Sequence, residues 1–201
     1  MFEGEYFNNE KIKGDMYKGE EKFTGIFSNG KKWKGIGKEI ISYKRCDMGK
    51  EITIYEGEFN EGKKNGKGKE YYEDYNTIGY DDELNRKILI FEGVYKVGER
   101  WKGKEYDEFE GKLIFEGEFK NGKRWKGKGK ELRVWNKLVF EGVYKDGGRW
   151  KGKEYDYEGR LIFEGVYKAG KRWKGKEYDY EGKLIFQGEY EYDCRWNGKG
   201  K

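Results

Sequence analysis

The sequence predicts an all-β fold built from repeated hairpins, and three observations predict it. An aromatic residue, a spacer, a glycine, a spacer and a second aromatic residue recur eight times along the 201 residues. Aromatic residues make up 18% of the chain and all hydrophobic residues only 34%, so rings must supply more than half of any core. The single alanine, Ala169, and the scarcity of long apolar segments with a 3.6-residue period leave little material for helices.

The repeat is most regular in the second half of the chain. Successive anchor glycines from Gly93 to Gly188 lie 23 to 25 residues apart, which predicts regular units over about 88–201. Two earlier steps, of 32 and 36 residues, contain insertions at about 40–55 and 72–87. The whole range 1–201 is therefore predicted to be a single array, an elongated, open-ended antiparallel sheet of about eight consecutive hairpins. The anchor glycines are Gly4, Gly25, Gly57, Gly93, Gly117, Gly142, Gly165 and Gly188.

The unit 161–182 shows how one hairpin divides its side chains between two faces. Alternation along each strand sends successive side chains to opposite sides of the sheet. A three-residue loop around Gly170 is expected to preserve this alternation, so that Lys176 faces Glu164 across the hairpin. The residues predicted to share the aromatic face are Phe163, Gly165, Tyr167, Trp173 and Gly175. The opposite face is predicted to carry cross-strand pairs of glutamate and lysine.

The same alternation predicts a ladder of tryptophans, one per hairpin, in the core. We expect rings to lie flat on the glycines, because a glycine leaves room for a neighbouring ring. A second turn, at 156–159 and again at 179–182, ends in glycine and is predicted to reverse the chain into the next hairpin. The aromatic residues predicted to form the core or line a groove are Trp101, Trp125, Trp150, Trp173, Trp196, Tyr95, Phe119, Tyr144 and Tyr167, with Trp33 as an earlier member of the ladder.

These units resemble a known family of repeats. The segment 115–131, F-E-G-E-F-K-N-G-K-R-W-K-G-K-G-K-E, is similar to the MORN repeat, which runs aromatic-x-G-x-aromatic, x-N-G-x and G-x-G. The units at Trp101, Trp150 and Trp173 lack the second glycine of G-x-G and are similar to a bacterial-type variant found in antitoxin-like proteins. The resemblance implies an elongated, twisted antiparallel sheet with an aromatic-lined groove, and a role in protein contacts, assembly or attachment near membranes.

The two insertions are candidate places for specific recognition, since inserted segments of repeat arrays often carry binding residues. Residues 40–55 are predicted to form an extended hairpin, and residues 72–87 an exposed acidic loop. A tolerated loop without a binding role remains the other interpretation. The candidate recognition residues are Asp74, Tyr75, Tyr80, Asp81, Asp82 and Glu83.

Composition argues against catalysis. The chain contains no histidine, which removes the commonest general base, and no pair of carboxylates stands out among its 39 acidic residues. The glycine-rich segment 98–105 matches a phosphate-binding loop until its last position, where glutamate replaces the required serine or threonine. Cys46 and Cys194 have no metal-binding spacing. We therefore expect no enzyme activity, no catalytic residue, no metal site and no cofactor.

The sequence predicts a scaffold or protein-interaction module that binds a protein partner through an aromatic groove, open sheet edges or the inserted loops. Repeats that begin at Phe2 and stop at Lys201 without a polar cap also predict a homodimer or a larger assembly. A peripheral membrane adaptor that binds anionic phospholipid headgroups is the alternative, and an antitoxin-like partner is the third hypothesis, from the resemblance alone.

Charge and hydropathy restrict the remaining classes of partner and place. The 44 basic residues are interspersed with acidic ones, and alternation places lysine on the face opposite the tryptophans, so nucleic acid is not an expected partner. The chain has no signal-like or membrane-spanning apolar segment, which predicts a cytoplasmic protein.

Overall fold

The computed structural model describes residues 1–46, 49–76, 85–133 and 137–200, and it confirms the all-β prediction. In these described residues, sixteen strands follow one another in chain order in a single open antiparallel sheet of eight hairpins. No described segment forms a helix long and apolar enough to cross a membrane. The strands are β1 (Phe2–Phe7), β2 (Glu10–Lys18), β3 (Glu21–Ser28), β4 (Lys31–Cys46), β5 (Gly49–Asn60), β6 (Lys63–Asn76), β7 (Asn85–Lys96), β8 (Glu99–Tyr106), β9 (Leu113–Lys120), β10 (Lys123–Arg133), β11 (Lys137–Lys145), β12 (Gly148–Tyr155), β13 (Leu161–Lys168), β14 (Lys171–Tyr178), β15 (Leu184–Glu191) and β16 (Cys194–Gly200).

The regular hairpins close with a two-residue turn. Between β13 and β14, Lys168 pairs with Lys171, and the φ angles of Ala169 and Gly170 are 50° and 77°. Two consecutive positive φ angles define a type I′ turn, whose twist matches the right-handed twist of the flanking strands. The three-residue loop predicted around Gly170 is therefore wrong.

A β-bulge follows this turn and restores the predicted alternation. Arg172 lies opposite Tyr167, and the next paired residue of β14 is Lys174, so Trp173 is the extra residue of the bulge. Gly175 then returns to the face predicted for it, because one added residue in the strand offsets the one residue missing from the loop. The same register shift follows the turn in the hairpins β7–β8, β9–β10, β11–β12 and β15–β16.

The insertion at 40–55 forms an extended hairpin, as predicted. Strands β4 and β5 pair from Ile40 opposite Ile54 to Cys46 opposite Gly49. The described residues of this insertion therefore lengthen two paired strands.

Part of the second insertion, 72–87, forms strand where an exposed loop was predicted. Strand β6 continues to Asn76 and β7 begins at Asn85, so both ends of the predicted loop are paired strand. Tyrosine-rich sequence favours extended, paired backbone, and this preference outweighed the local acidic charge. Among the candidate recognition residues, Asp74 and Tyr75 lie in β6 with side chains beyond the described part, and Tyr80, Asp81, Asp82 and Glu83 lie outside the described residues.

The chain divides into two compact units, Met1–Leu113 and Ile114–Lys201. The core of the first unit is a succession of rings in edge-to-face contact. Phe23 contacts Phe27 of its own strand at a centroid distance of 5.3 Å and Phe59 of the next hairpin at 5.7 Å. Such contacts add to the free energy gained by burying the rings. The buried rings of this unit are Phe23, Phe27, Tyr55, Phe59, Phe91 and Tyr95.

The second unit repeats this arrangement. Phe163 contacts Tyr167 of its own strand at 5.6 Å and Tyr190 of the next hairpin at 5.3 Å, again edge to face. Each phenylalanine thus joins two hairpins through the second aromatic residue of each. The buried rings of this unit are Phe115, Phe119, Phe140, Tyr144, Phe163, Tyr167, Phe186 and Tyr190.

The rings lie on paired glycines, as predicted. Gly165 and Gly175 are opposite each other in the register of β13 and β14. A Cβ atom on Gly175 would lie 2.5 Å from Cζ of Phe163, and one on Gly165 would lie 2.6 Å from the same atom. Real Cβ atoms essentially never come so close to another heavy atom. The carbonyl oxygen of Lys174 on the paired strand would lie still closer to a Cβ atom on Gly165, at 2.3 Å. The anchor glycine is therefore required by both the ring above it and the backbone opposite it.

Candidate functional site

The tryptophans are not the core of the fold, in contrast to the predicted ladder. Trp101, Trp150 and Trp173 are 41% to 47% exposed, and Trp196 is 71% exposed. Trp33 is similarly exposed, and Trp125 is half-buried. The bulge explains the difference, because it leaves the tryptophan without a partner across the strand pair. The smaller rings predicted with them, Tyr95, Phe119, Tyr144 and Tyr167, are buried and form part of the core.

An arginine covers the core ring in the place predicted for tryptophan. The guanidinium carbon of Arg149 lies 4.4 Å from the ring centroid of Phe140, and that of Arg195 lies 5.3 Å from Phe186. A cation over the face of a ring is attracted by the negative electrostatic potential of that face. Sequence reasoning missed these residues, although an arginine directly precedes the tryptophan in five units. These arginines are Arg100, Arg124, Arg149, Arg172 and Arg195.

Four of these arginines also bind a glutamate of the preceding hairpin. Nε of Arg149 donates to Oε1 of Glu131 at 2.9 Å, and the hydroxyl of Tyr144 donates to the same oxygen at 2.6 Å. Glu177 accepts from Arg195 at 2.8 Å and from Tyr190 at 3.2 Å in the same way. The junction between hairpins is therefore held by charge-assisted hydrogen bonds as well as by rings. The equivalent ion pairs elsewhere are Glu70 with Arg100 and Glu154 with Arg172.

These contacts shift the protonation equilibria of the residues that make them. The hydrogen bond from Arg149 is the largest cause that lowers the pKa of Glu131, and burial opposes it. Burial is the largest cause that raises the pKa of Tyr144, and its hydrogen bond to Glu131 adds to the rise. Glu131 is therefore held as the carboxylate and Tyr144 as the neutral phenol, which is the combination that the hydrogen bond requires.

Four tryptophans of the second unit, three of them exposed, form a row along one end of its hairpins. We define the tryptophan row as Trp125, Trp150, Trp173 and Trp196. Each lies at the bulge that follows a turn, and equivalent bulges are two strands, or about 9.6 Å, apart. Lys120 and Lys145 lie 4.5 Å and 5.8 Å from the ring centroids of Trp125 and Trp150. The row therefore presents apolar surface bordered by positive charge.

The opposite side of the sheet, which we call the charged face, carries the predicted pairs of glutamate and lysine. Glu164 lies opposite Lys176 with 3.7 Å between the charged atoms, and Glu189 lies opposite Lys174 at 3.4 Å. Tyr178 at the end of β14 also donates a hydrogen bond of 2.8 Å to Glu164. The glutamates of this face are therefore shared between lysine and tyrosine, and their charge is only partly available to any one lysine.

A groove with a volume of about 1130 Å³ lies on the charged face of the second unit, across strands β12 to β16. Backbone of the paired glycines forms much of its lining, and Leu184 and Ile185 contribute apolar surface. Glu164 supplies the one carboxylate among the lining residues, all of which are described. We call this the lysine groove, and its lysines are Lys151, Lys153, Lys174, Lys176 and Lys199.

Comparison with known protein families identifies the type of repeat in two segments of the chain. The family model of the MORN repeat matches residues 55–77 and 115–133. Both matched segments contain the G-x-G element, at 66–68 and 127–129. No curated protein matches the chain. The resemblance noted in the sequence is thus confirmed at the level of the repeat.

Proposed function

Because this chain is a MORN-repeat protein, we propose that it is a non-catalytic module that binds a protein partner through the tryptophan row. MORN repeats are generally non-enzymatic and are associated with protein-binding or membrane-binding modules. The observation that carries the proposal is the exposure of Trp150, Trp173 and Trp196 on a fold whose core is already filled by smaller rings.

The chemistry of tryptophan supports a protein as the partner. Tryptophan and arginine are enriched among the residues that contribute most to protein–protein binding, and a buried tryptophan at an interface contributes about 2 kcal/mol or more. The fold retains a tryptophan at the equivalent bulge in successive hairpins, although the ring is not needed to complete the core. A partner that covers several of these rings would gain apolar burial at regular intervals along the row.

The proposal is tested by affinity capture with the full-length tagged chain from an extract of its source cells. We expect the triple variant Trp150→Ser, Trp173→Ser and Trp196→Ser to capture at least about 30-fold less partner than the wild-type chain does, because each ring contributes to one contact surface. The matched control replaces Tyr157 and Tyr180 with serine. Both are at least as exposed as most of the tryptophans, at 68% and 71%, but lie in the turns at the other ends of the strands.

Two outcomes of this experiment would contradict the proposal. Equal capture by the wild-type chain and the tryptophan variant would show that the row is not the contact surface. Binding to anionic phospholipid vesicles in a flotation assay, without a stoichiometric protein partner, would favour the membrane adaptor predicted as the alternative. Circular dichroism of each variant checks that its sheet is intact.

A further inference from the structure

We propose that the lysine groove of the second unit binds an extended acidic segment of a protein. None of the tryptophan row lines this groove, so the proposal concerns a second surface and does not rest on the function proposed above. The inference depends on three features of the groove, which are its excess of positive charge, the spacing of its lysines and the polar groups between them.

The positive charge of the groove is only partly neutralised from within the protein. In the strand register Lys153 lies between Glu141 and Glu164, whereas Lys151 lies opposite two valines and Lys199 opposite Gln187. Two of its five lysines form ion pairs, Lys174 with Glu189 and Lys176 with Glu164. Lys151, Lys153 and Lys199 form no ion pair with any residue in the described ranges. Ammonium groups that lack an internal partner and line a common concave surface attract an anion from solution.

A change in the repeat increases this charge. In the four preceding hairpins the residue between the core ring and the anchor glycine is glutamate, but in β15 it is Gln187. Gln187 lies opposite Lys176 on one side and Lys199 on the other. The groove therefore lacks the carboxylate that occupies this position in the four preceding repeats. The glutamates at the equivalent position are Glu92, Glu116, Glu141 and Glu164.

The lysines are spread along a line and do not converge on a point. Lys153, Lys176 and Lys199 lie on β12, β14 and β16, so neighbours are about 9.6 Å apart and the outer two are separated by about 19 Å. A single phosphate group is too small to contact all three. A segment in the polyproline II conformation advances about 3.1 Å per residue with three residues per turn, so about six residues span the line and every third side chain lies on the side of the lysines.

The groups between the lysines favour a peptide over a lipid headgroup or a nucleic acid. The carboxylate of Glu164 and the side-chain amide oxygen of Gln187 can accept hydrogen bonds from backbone N–H groups, which a peptide has and a phosphodiester lacks. The carboxylate of Glu164 would repel a continuous row of phosphates. Leu184 and Ile185 provide apolar surface for aliphatic side chains of the peptide.

The proposal is tested with the full-length chain and a fluorescent eight-residue peptide that carries glutamate at every third position. We expect fluorescence anisotropy to detect saturable binding at about 50 mM salt that weakens at about 500 mM, as screening of exposed charges requires. The double variant Lys153→Gln and Lys199→Gln should bind about fivefold or more weakly, because two ion pairs to the peptide are removed. Gln187→Glu should also weaken binding, since it supplies the carboxylate found in the four preceding repeats.

The control variant Lys168→Gln and Lys183→Gln changes the net charge equally but lies outside the groove, and it should bind as the wild type does. Equal loss in the control and groove variants would overturn the proposal, because binding would then depend on net charge alone. No saturable binding by the wild type at low salt would also overturn it. The proposal would also be overturned if the wild type bound phosphatidylserine vesicles but not the peptide, and the groove variant lost that vesicle binding. The variant Trp173→Ser should bind the peptide normally, which separates this test from that of the tryptophan row.

Discussion

The guanidinium carbon of Arg172 lies 4.6 Å from the centroid of the Phe163 ring. Its nitrogens also donate to Glu154 of the preceding hairpin, so one side chain covers the core and joins two repeats. The bulge at Trp173 makes this possible, because it places Arg172 opposite Tyr167 on the ring-bearing face. The stability of the array therefore depends on the arginine, and the tryptophan is left available for other contacts.

Replacement of a core ring is predicted to destabilise the protein more than replacement of a tryptophan. Tyr167→Ala removes a buried ring and should lower the free energy of unfolding by about 3 kcal/mol or more. Trp173→Ala removes a ring that is about half exposed and should cost about 1 kcal/mol. Urea unfolding followed by circular dichroism measures both changes. The reverse order of effects would restore the tryptophan ladder as the core.

A methyl group on the glycine beneath a ring is predicted to be destabilising. Gly175→Ala places a Cβ atom 2.5 Å from Phe163, and we expect a loss of about 2–3 kcal/mol because ring or backbone must move. Gly148→Ala is the control, since a Cβ atom there meets nothing within 4 Å and its φ is not positive. The control should change the unfolding free energy by less than about 0.5 kcal/mol. Similar effects of the two substitutions in urea would contradict the role of the paired glycines.

The contact between Glu131 and Arg149 is predicted to make stability dependent on pH. Arg149 lowers the pKa of Glu131 in the folded state below its ordinary value of 4.5. The folded protein thus binds fewer protons than the unfolded chain, and the stabilisation is present above about pH 4.5 and lost as the pH falls through the lowered pKa. Glu131→Gln should cost about 1–2 kcal/mol at pH 6.

This cost should fall as the pH drops below about 4.5, because protonation of the wild-type glutamate makes it resemble the amide. Urea unfolding at about pH 6, 4.5 and 3 measures the difference at each pH. Glu191→Gln, in an exposed position at the end of β15, is the matched control and should show no pH-dependent difference. A difference for Glu131→Gln that stays constant with pH would argue against the ion pair.

The turns between hairpins are predicted to depend on one aspartate. Oδ1 of Asp156 accepts hydrogen bonds of 2.9 Å from the backbone N–H groups of Glu158 and Arg160. Asp156→Ala removes both acceptors and should cost about 1–2 kcal/mol in thermal or urea unfolding. Glu181→Ala, an exposed substitution in the next turn, should have little effect. Equal stability of the two variants would mean that Gly159, with φ of 86°, suffices to form the turn.

Periodicity made most of the fold predictable from sequence. The anchor glycines mark each ring-bearing strand. Only glycine fits at that position, because a Cβ atom would collide with atoms of the same hairpin. The alternation of side chains between the two faces also predicted the correct face for Gly175 and the pairing of Glu164 with Lys176. These features follow from alternation within a strand, which sequence displays directly.

The placement of Trp173 was not predictable by the same reasoning. A three-residue loop, and a two-residue turn followed by a one-residue bulge, each leave three residues unpaired between the two strands. Both arrangements therefore place Gly175 on the same face of the sheet. They differ only in whether Arg172 or Trp173 covers the ring. The lysine groove was missed for another reason, since it depends on strands of three hairpins and on the single substitution of glutamate by Gln187.

In the second unit, the same type of ion pair, from a glutamate of one hairpin to an arginine of the next, joins successive hairpins. Glu131, Glu154 and Glu177 each bind the arginine that follows the next turn. A gene duplication that copied one whole hairpin would therefore supply both halves of a new junction at once, already matched. Such an array can lengthen by a whole repeat without any compensating substitution at its junctions.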